Sequence, residues 1–402
     1  MIESKYITRD VETVLKKALG ESPVVAVTGP RQTGKSTLLK ETLPDYSYIT
    51  LDDPMARQQA IEDPVFFLDS FPPKLIIDEF QYAPGLLSYI KMRVDENRSE
   101  KGVYVLTGSQ QFIATKGLSE SLAGRIILLE LGAFGLQEWN RVEGADAKAA
   151  FVRACLRGSF PELVTDAAVD TQRWYAGYLQ TYLERDIRTL YDIGHLREFE
   201  RTLQLLAARC SQNLNYSTIA GDIGISVNTV KRWVSILEAC RMLYLLPPYL
   251  KNIGSRIVKS PKVYFLDAGL VCYLTGLRSE EHLLKGPMAG ALFENYCIQE
   301  AVKASFSVGK QPRFSYLRTQ NGFEVDFIAE GANSVLYPVE FKLSKSPKTK
   351  MAATLERFVT ELEPENSRRG SLITLTDNSQ PFTRNVEHAA VSGFLKNLNC
   401  LL

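Results

Sequence analysis

The chain has 402 residues, too many for one ordinary hydrophobic core, and we therefore expect two or three domains. Its 45% hydrophobic and 23% charged residues are typical of a soluble globular protein and exclude a disordered or fibrous one. Lys and Arg number 47 against 46 Asp and Glu, so global basicity gives no argument for nucleic-acid binding, which would need a local basic patch.

The apolar runs and the cysteine spacing bear on cellular location. No run of about 18 apolar residues occurs, and the first ten residues carry charges where a signal peptide would be apolar. The six cysteines lie far apart without a Cys-x-x-Cys pair, as expected for reduced, mostly buried thiols. We expect a cytoplasmic protein with no membrane association.

The first strong motif is a glycine-rich loop between a strand and a helix. Residues 24–28 form an apolar, β-branched run typical of a buried strand, and residues 29–36, Gly-Pro-Arg-Gln-Thr-Gly-Lys-Ser, fit the P-loop pattern GxxxxGK[ST]. The glycines allow the turn that aims backbone N–H groups at phosphates, Lys35 reaches the β- and γ-phosphates, and Ser36 is a ligand of Mg²⁺. We predict that ATP is bound by Gly29, Pro30, Arg31, Gln32, Thr33, Gly34, Lys35, Ser36 and Thr37.

A second apolar strand, residues 74–77, ends in two carboxylates. Asp78 at the strand tip suits contact with Mg²⁺, directly or through water, and Glu79 suits polarising the water that attacks the γ-phosphate. The alternative is a solvated acidic turn.

A third strand, residues 102–107, is followed by Gly108 and Ser109. Ser109 is the candidate sensor of the γ-phosphate, and the alternative is that it simply ends the strand, as Ser and Gly often do. We predict a helix through Leu122 and a fourth strand over residues 126–131.

Residues 20–135 resemble the AAA+ ATPases. The pieces Gly-Pro-Arg-Gln-Thr-Gly-Lys-Ser, Ile-Ile-Asp-Glu-Phe, Leu-Thr-Gly-Ser and Leu-Ala-Gly-Arg are similar to a bacterial and archaeal branch with a C-terminal domain of unknown function (DUF4143-like) and a nuclease-like fold. The resemblance covers essentially the whole chain. In AAA+ proteins an arginine before the last core strand reaches the neighbouring subunit's γ-phosphate, and Arg125 occupies that place. The resemblance thus implies a homo-oligomer, and the alternative for Arg125 is an ordinary intramolecular salt bridge.

The middle of the chain reads as helical. Residues 146–197 are predicted to form a helical lid, with the aromatic-rich residues 174–183 as lid packing. Residues 198–285 fit a winged helix, because a short helix, a glycine turn and a Ser-capped helix at 226–237 follow one another, and residues 242–246 and 262–265 could pair as the wing. The polar face that would meet DNA carries Asn228, Thr229, Lys231 and Arg232. A protein–protein or interdomain module is the alternative.

Residues 286–402 show the element order αβββαβ. The alternation in two strands separated by a turn at 331–334 places Asp326, Glu340 and Lys342 together on the polar face of a hairpin. Two carboxylates bind a divalent cation that activates water, and a lysine stabilises the charge growing on a phosphodiester. The alternative is a surface ion-pair cluster.

This pattern is similar to the PD-(D/E)xK nucleases, although no proline precedes Asp326. The resemblance implies that Asp326, Glu340 and Lys342 are metal-binding and catalytic residues, and that Glu294 is the helix carboxylate of the same site. This site would hold a divalent ion, Mg²⁺ or Mn²⁺, in addition to the Mg²⁺ bound with ATP.

The predicted fold class is α/β, with an AAA+ P-loop core at 1–145, a helical lid at 146–197, a winged-helix region at 198–285 and a restriction-endonuclease-like domain at 286–402. The predicted function is an oligomeric, Mg-ATP-hydrolysing protein whose ATPase controls a nuclease-like domain acting on DNA. The alternative is a regulatory ATPase scaffold whose C-terminal domain binds protein or nucleic acid without cleavage.

Overall fold

A computed structural model describes residues 6–108, 122–181, 196–249 and 260–401. The chain folds into two compact units. The first consists of the described residues within Met1–Phe134, Ala239–Arg241 and Phe306–Lys310, and the second of those within Gly135–Glu238, Met242–Ser305 and Gln311–Leu402.

The first unit contains a parallel sheet with the strand order β2-β3-β4-β1-β5. Strand β1 is buried along its whole length, with Val24 and Ala26 in one apolar core and Val25 and Val27 in another. Both faces of the sheet are therefore covered, as parallel sheets require. The strands are β1 Val24–Thr28, β2 Ser47–Thr50, β3 Leu75–Asp78, β4 Tyr104–Gly108 and β5 Ile126–Glu130.

Register brings the ends of these strands to one edge. Thr28 lies opposite Gly108 and Glu130, and Asp78 lies opposite Thr107. The segments that follow β1, β3 and β4 consequently leave the sheet side by side. Ser109 and the helix predicted up to Leu122 lie outside the described residues, apart from Leu122 itself.

The helices of the first unit flank this sheet. Prolines at the first turns of α3 and α4 follow the capping residues Asp53 and Asp63, whose side chains accept backbone N–H bonds. The helices are α1 Glu12–Glu21, α2 Lys35–Thr42, α3 Pro54–Glu62, α4 Pro64–Asp69 and α5 Leu86–Glu96.

Short helices make up the first part of the second unit. In the aromatic-rich segment Tyr175, Tyr178 and Leu179 are buried, and Trp174 stacks on Tyr178 with ring centroids 5.2 Å apart. Tyr175, Tyr178 and Leu179 are therefore part of the hydrophobic core. The helices are α6 Leu136–Asn140, α7 Ala147–Leu156, α8 Pro161–Thr165, α9 Thr171–Thr181, α10 Leu196–Ala208, α11 Tyr216–Ile223 and α12 Val227–Ala239.

The helix-turn-helix prediction coincides with α11 and α12, which are joined by Gly224 at a φ of 82°. The apolar spacing of α12 predicts that residues 227, 230, 233, 234 and 237 face the core. Val227 is only partly buried, the other four are buried, and Ile236 is buried in addition. Strands β6 Leu243–Leu246 and β7 Lys262–Phe265 pair antiparallel, as predicted for the wing. The winged-helix assignment itself remains a prediction.

The C-terminal sheet is mixed. From one edge to the other its strands are β12 Gln380–Pro381, β13 Val386–Ala390, β11 Gly370–Thr374, β10 Leu336–Phe341, β9 Glu324–Glu330 and β8 Phe314–Arg318. The predicted hairpin is present, because β9 pairs antiparallel with β10, and β10 pairs in parallel with β11. The second helix of the predicted αβββαβ order, expected near 348–363, is present over residues 349–362 as a 3₁₀ turn, a short α-helix and a π-helical turn. Strands β12 and β13 and helix α17 were not predicted.

The elements of this part are α13 Ala268–Thr275, α14 Glu280–Lys285, α15 Ala289–Ser307, β8 Phe314–Arg318, β9 Glu324–Glu330, β10 Leu336–Phe341, α16 Ala353–Arg357, β11 Gly370–Thr374, β12 Gln380–Pro381, β13 Val386–Ala390 and α17 Val391–Leu401. All six cysteines are free thiols. In the ranges that the structure describes, no helix is both long and apolar enough to cross a membrane.

Candidate functional site

The loop between β1 and α2 has a backbone that only glycine permits at two points. Gly29 has a φ of 153°, and a Cβ there would lie 2.1 Å from the Leu131 carbonyl oxygen. Gly34, at the start of α2, has a φ of 85°. The two glycines of the predicted P-loop pattern therefore correspond to two backbone requirements.

Lys35 is 7% exposed and reaches back across the loop. Its Nζ donates to the Gly29 carbonyl oxygen at 3.1 Å and to the Pro30 carbonyl oxygen at 2.7 Å. The Thr33 hydroxyl donates to the same Pro30 oxygen at 2.9 Å. A positive charge is thus fixed at the centre of the loop, where phosphates are expected. The other predicted ATP-binding residues belong to the same loop and helix start, with Gln32 and Thr37 exposed and Pro30, Arg31 and Ser36 half-buried.

Sequence reasoning missed Arg9, which supports this loop. Its guanidinium donates from Nη1 to the Thr33 carbonyl oxygen and from Nη2 to the Gly132 carbonyl oxygen, each at 2.9 Å. It lies 4.6 Å from the centroid of the Phe134 ring, and the residue is only 4% exposed. No local pattern in the sequence marks this arginine, because its partners are distant in the chain.

Ser36 and Asp78 meet at the end of β3. The Ser36 hydroxyl donates to Asp78 Oδ2 at 2.6 Å, and the Tyr48 hydroxyl donates to the same oxygen. Burial and the hydrogen bond to Asp78 raise the pKa of Tyr48, so its hydroxyl stays protonated. A hydroxyl and a carboxylate side by side fit Mg²⁺, which prefers oxygen ligands. Sequence reasoning missed Tyr48.

Glu79 follows Asp78 in a left-handed backbone conformation, with a φ of 54°. Gln81 Nε2 donates a hydrogen bond to Glu79 Oε2. Strained non-glycine conformations of this kind cost roughly 1–3 kcal/mol and are often found at functional sites. The structure thus brings Glu79 to the same sheet edge as the P-loop, and adds Gln81, which the sequence analysis did not select.

Arg125 lies just before β5 and is paired within the chain. Its Nε and Nη2 donate to the two carboxylate oxygens of Asp95 at 2.7 and 3.0 Å. The hydrogen bond from Arg125 is the main cause that lowers the pKa of Asp95. This geometry corresponds to the alternative given for Arg125, and its role toward a second subunit remains a prediction.

A second cluster lies on the β9–β10 hairpin. Lys342 Nζ is 3.2 Å from Asp326 Oδ2 and 2.6 Å from Glu340 Oε2. The Phe341 backbone N–H also donates to Asp326 Oδ2, at 3.1 Å. The structure therefore brings together the three residues that the strand alternation placed on one polar face.

Glu340 is the most deeply buried member of this cluster, at 3% exposure, against 8% for Asp326. Burial and, next, the charge of Asp326 raise the pKa of Glu340 to about 8. Its Oε1 is buried and has no hydrogen-bond partner among the described residues. An unpartnered buried acceptor is costly unless a ligand uses it. Asp326 and Glu340 therefore fit two carboxylate ligands of a divalent cation.

Glu294, the predicted helix carboxylate, has other partners. Lys262 Nζ lies 3.1 Å from Glu294 Oε1 and 2.7 Å from Glu324 Oε1, and the Tyr264 hydroxyl also donates to Glu294. Burial and the charge of Asp326 raise the pKa of Glu294 to about 7. Sequence reasoning missed Lys262 and Tyr264 here.

Within the described ranges, no group of three or more His, Cys, Asp or Glu side chains is arranged to hold a metal ion. Lys342 lies between Asp326 and Glu340, and Lys262 pairs with Glu294. A cavity of about 800 Å³ opens beside Asp326, Glu340 and Lys342.

Comparison with protein families divides the chain into three matched regions. Residues 21–140 match a family described as an AAA domain, residues 148–281 match a domain of unknown function (DUF8612), and residues 289–392 match a domain of unknown function (DUF4143).

Similar proteins come from both bacteria and archaea. Uncharacterized protein Rv2008c of Mycobacterium tuberculosis is 28% identical over 360 residues, which cover 88% of this chain and 78% of that protein. Uncharacterized protein MJ1544 of Methanocaldococcus jannaschii is 20% identical over 413 residues, which cover 95% and 87%.

Two solved structures show fold similarity at low identity. The Walker-type ATPase PABY2304 of Pyrococcus abyssi has a TM-score of 0.46 and 15% identity, covering 68% of this chain and 97% of that one. The RuvB Holliday junction branch migration motor of Thermotoga maritima has a TM-score of 0.31 and 16% identity, covering 59% and 89%. Both TM-scores are below 0.5, and at that level a similarity does not indicate a shared function. By these matches the chain is similar to proteins that carry an AAA domain and, C-terminal to it, a DUF4143 domain.

Proposed function

We propose that this protein binds Mg-ATP at the P-loop and hydrolyses it. The observation that carries the proposal is the 2.6 Å hydrogen bond between Ser36 and Asp78, at the end of a loop in which Lys35 is already fixed. Ser36 and Asp78 would hold the Mg²⁺ that accompanies the nucleotide, and when bound this ion supplies neutralisation of phosphate charge.

The remaining residues have distinct tasks in this proposal. Lys35 and the loop N–H groups bind the phosphates, and the N-terminal end of α2 adds its favourable dipole. Glu79 accepts a proton from the attacking water, and Gln81 positions its carboxylate. Arg9 holds the loop backbone through the Thr33 carbonyl.

Phosphate release from ATP and binding of a fluorescent ATP analogue test this assignment. Lys35→Ala should lose both binding and hydrolysis, whereas Glu79→Gln should keep binding and lose at least about a hundredfold in hydrolysis. Lys16→Ala, an exposed lysine on α1, is the control and should behave as wild type. Hydrolysis by Glu79→Gln at the wild-type rate would contradict the role of Glu79.

The proposal includes a homo-oligomer in which Arg125 acts on the neighbouring ATP. Asp95→Asn offers a matched control for Arg125→Ala, because it removes the partner of Arg125 and keeps the arginine. ATPase activity lost in Arg125→Ala and kept in Asp95→Asn, with activity rising with protein concentration, supports a contribution between subunits. Equal activity of all three proteins at every concentration would exclude it.

We further propose that the ATPase controls metal-dependent cleavage of DNA at the C-terminal cluster. The supporting observation is the buried Glu340 Oε1, left unpartnered among the described residues next to Asp326 and Lys342. Asp326 and Glu340 would hold Mg²⁺ or Mn²⁺, with Glu294 close to them, and when bound the ion supplies an activated water. Lys342 would stabilise negative charge on the phosphodiester. The winged-helix region would position the DNA in a cytoplasmic complex.

The second candidate function is a regulatory ATPase whose C-terminal domain binds a partner without cutting it. The ion pairs of Lys342 and Lys262 with the carboxylates favour it, because they already balance the charge that a metal ion would neutralise. Cleavage of supercoiled, linear and single-stranded DNA with Mg²⁺ or Mn²⁺, with and without ATP, separates the two functions. Nicking lost in Asp326→Ala and altered in Glu79→Gln supports control of a nuclease, and no cutting by an active ATPase supports the scaffold.

A further inference from the structure

We propose that the cavity beside Asp326, Glu340 and Lys342 takes a single polynucleotide strand rather than a duplex, and that lysines following β10 hold its phosphates. The inference rests on the proposed phosphodiester chemistry of the same cluster and names its substrate class.

The segment after β10 carries three exposed lysines in addition to Lys342, whose own charge is paired with Asp326 and Glu340. Residues 341–355 contain four lysines, at 342, 345, 348 and 350, and no Asp or Glu. Lys345, Lys348 and Lys350 are exposed, and within the described part of the chain none of them forms an ion pair. In a chain with a net charge of only +1, this is a local basic patch of the kind that binds a phosphate backbone.

The cavity connects this patch to the buried carboxylates. One wall is formed by residues 319–324 between β8 and β9, and the other includes Lys350 and Arg357. The Arg357 guanidinium lies 5.1 Å from the centroid of the Phe323 ring, and both residues line the cavity. Cationic side chains combined with an aromatic platform are the usual means of binding single-stranded nucleic acid.

Size and depth favour one strand over two. The cavity volume of about 800 Å³ is within the range of roughly 300–1,000 Å³ found for sites that enclose one small ligand. One or two nucleotides of a single strand are of that size, whereas a duplex would also have to bring its paired strand and the stacked neighbouring base pairs into the same space. Because Asp326 is 8% and Glu340 3% exposed, a phosphodiester reaches them only by entering the cavity. An unpaired strand is flexible enough to enter such a recess, whereas a duplex is stiff over the length of the site.

The unpartnered Glu340 Oε1 is an independent sign that a ligand enters here. It is the one oxygen of this three-residue cluster that is both buried and without a hydrogen-bond partner among the described residues, and Glu340 lines the cavity. In a surface ion-pair cluster, the alternative given for these three residues, this oxygen would be hydrated by solvent.

The test is fluorescence anisotropy with the full chain in EDTA, without ATP, using labelled 20-nucleotide single-stranded DNA, the same sequence as RNA, and the matched DNA duplex. We expect each single strand to bind at least about tenfold more tightly than the duplex. The variant Lys345→Gln/Lys348→Gln/Lys350→Gln should weaken single-strand binding on the order of a hundredfold at 0.1 M salt. Its slope of log affinity against log salt should be smaller by about 2, since each phosphate contact contributes about 0.7.

The control variant Lys16→Gln/Lys17→Gln/Lys396→Gln removes three exposed lysines elsewhere and should bind as wild type. Circular dichroism confirms that both triple variants fold. Duplex bound as tightly as single strands, or equal affinity of the two triple variants, would overturn the inference. Because no metal or ATP is present, single-strand binding without any later cleavage in Mn²⁺ would sink only the proposed nuclease activity. Cleavage of duplex DNA alone would refute the single-strand inference and leave the proposed nuclease activity in place.

Discussion

Gln81 donates a hydrogen bond through Nε2 to Glu79 Oε2, so the carboxylate assigned to the attacking water is held by a residue two positions along the chain. The other amide atom of Gln81, Oε1, is buried without a partner among the described residues, and so is Thr107 Oγ1. A Cβ at Gly108 would lie 2.3 Å from Gln81 Oε1, so the glycine makes room for this side chain. Buried polar atoms without hydrogen-bond partners cost stability, so we infer that Gln81 serves to position the Glu79 carboxylate.

Replacing Gln81 by methionine should therefore separate activity from stability. Methionine has a similar volume and no amide, so Gln81→Met removes the hold on Glu79 together with the unpartnered Oε1. We expect kcat for ATP to fall about tenfold or more while KM and nucleotide affinity stay unchanged. The free energy of unfolding should not fall, since a buried unsatisfied group is removed. Steady-state ATPase kinetics and urea unfolding measure the two quantities, and an unchanged kcat would refute the positioning role.

Substituting Gly29 by alanine should damage the P-loop. The new Cβ would lie 2.1 Å from the Leu131 carbonyl oxygen, and φ at this position is 153°. We expect ATP affinity to fall at least about tenfold and the free energy of unfolding to fall by about 2–3 kcal/mol.

Gly20→Ala is the matched control for Gly29→Ala, because Gly20 lies in α1 and a Cβ there would meet no described atom within 4 Å other than those of its own helix backbone and chain neighbours. It should raise the free energy of unfolding by about 0.5–1 kcal/mol. Urea unfolding and nucleotide titration of both variants provide the comparison. Similar behaviour of the two would mean that the close approach to Leu131 is unimportant.

Arg9→Met should destabilise the first unit and weaken ATP binding. The buried guanidinium donates hydrogen bonds to the carbonyl oxygens of Thr33 and Gly132. Methionine has no donor, so both carbonyl groups would lose this hydrogen bond. We expect the free energy of unfolding to fall by about 2–4 kcal/mol, with a weaker ATP Kd. The exposed Arg98, paired with Asp95, serves as the control, and Arg98→Met should change stability by less than about 1 kcal/mol. If Arg9→Met lost no more unfolding free energy than Arg98→Met, Arg9 would not be stabilising the loop.

The raised pKa of Glu340 predicts a pH dependence of stability in metal-free buffer. The folded protein keeps a proton on Glu340 up to a pKa of about 8, whereas an unfolded glutamate loses it near pH 4.3. The free energy of unfolding should therefore fall as pH rises from about 4.5 to 8, and Glu294, with a pKa of about 7, acts in the same direction.

Glu340→Gln should reduce this slope, and Glu365→Gln, at an exposed position of the same unit, should leave it unchanged. Urea unfolding between pH 4.5 and 8.5 in EDTA gives the slopes directly. A slope that is the same in the wild-type protein and in Glu340→Gln would contradict a protonated Glu340 in the folded state.

Features that depend on neighbours in sequence could be predicted from the sequence. The P-loop is a strand, a turn and a helix start within thirteen residues or so, and its glycines are required by the local backbone. Alternation along β9 and β10 placed Asp326, Glu340 and Lys342 on one face, because side chains in a strand alternate with period two. The helix predicted near 348–363 matches helical residues 349–362, but its division into 3₁₀, α and π segments could not be predicted, because such a change leaves no mark on apolar periodicity.

Partners distant in the chain were decided by the tertiary structure alone. Arg9 reaches carbonyl groups 24 and 123 residues away, Arg125 pairs with Asp95 across 30, and Lys262 pairs with Glu294 across 32. Periodicity tells which face of an element a residue occupies, but not which other element covers that face. The sequence therefore determined what chemistry each segment can offer, and packing determined which charges are neutralised, which atom stays unpartnered and how deep the carboxylates lie.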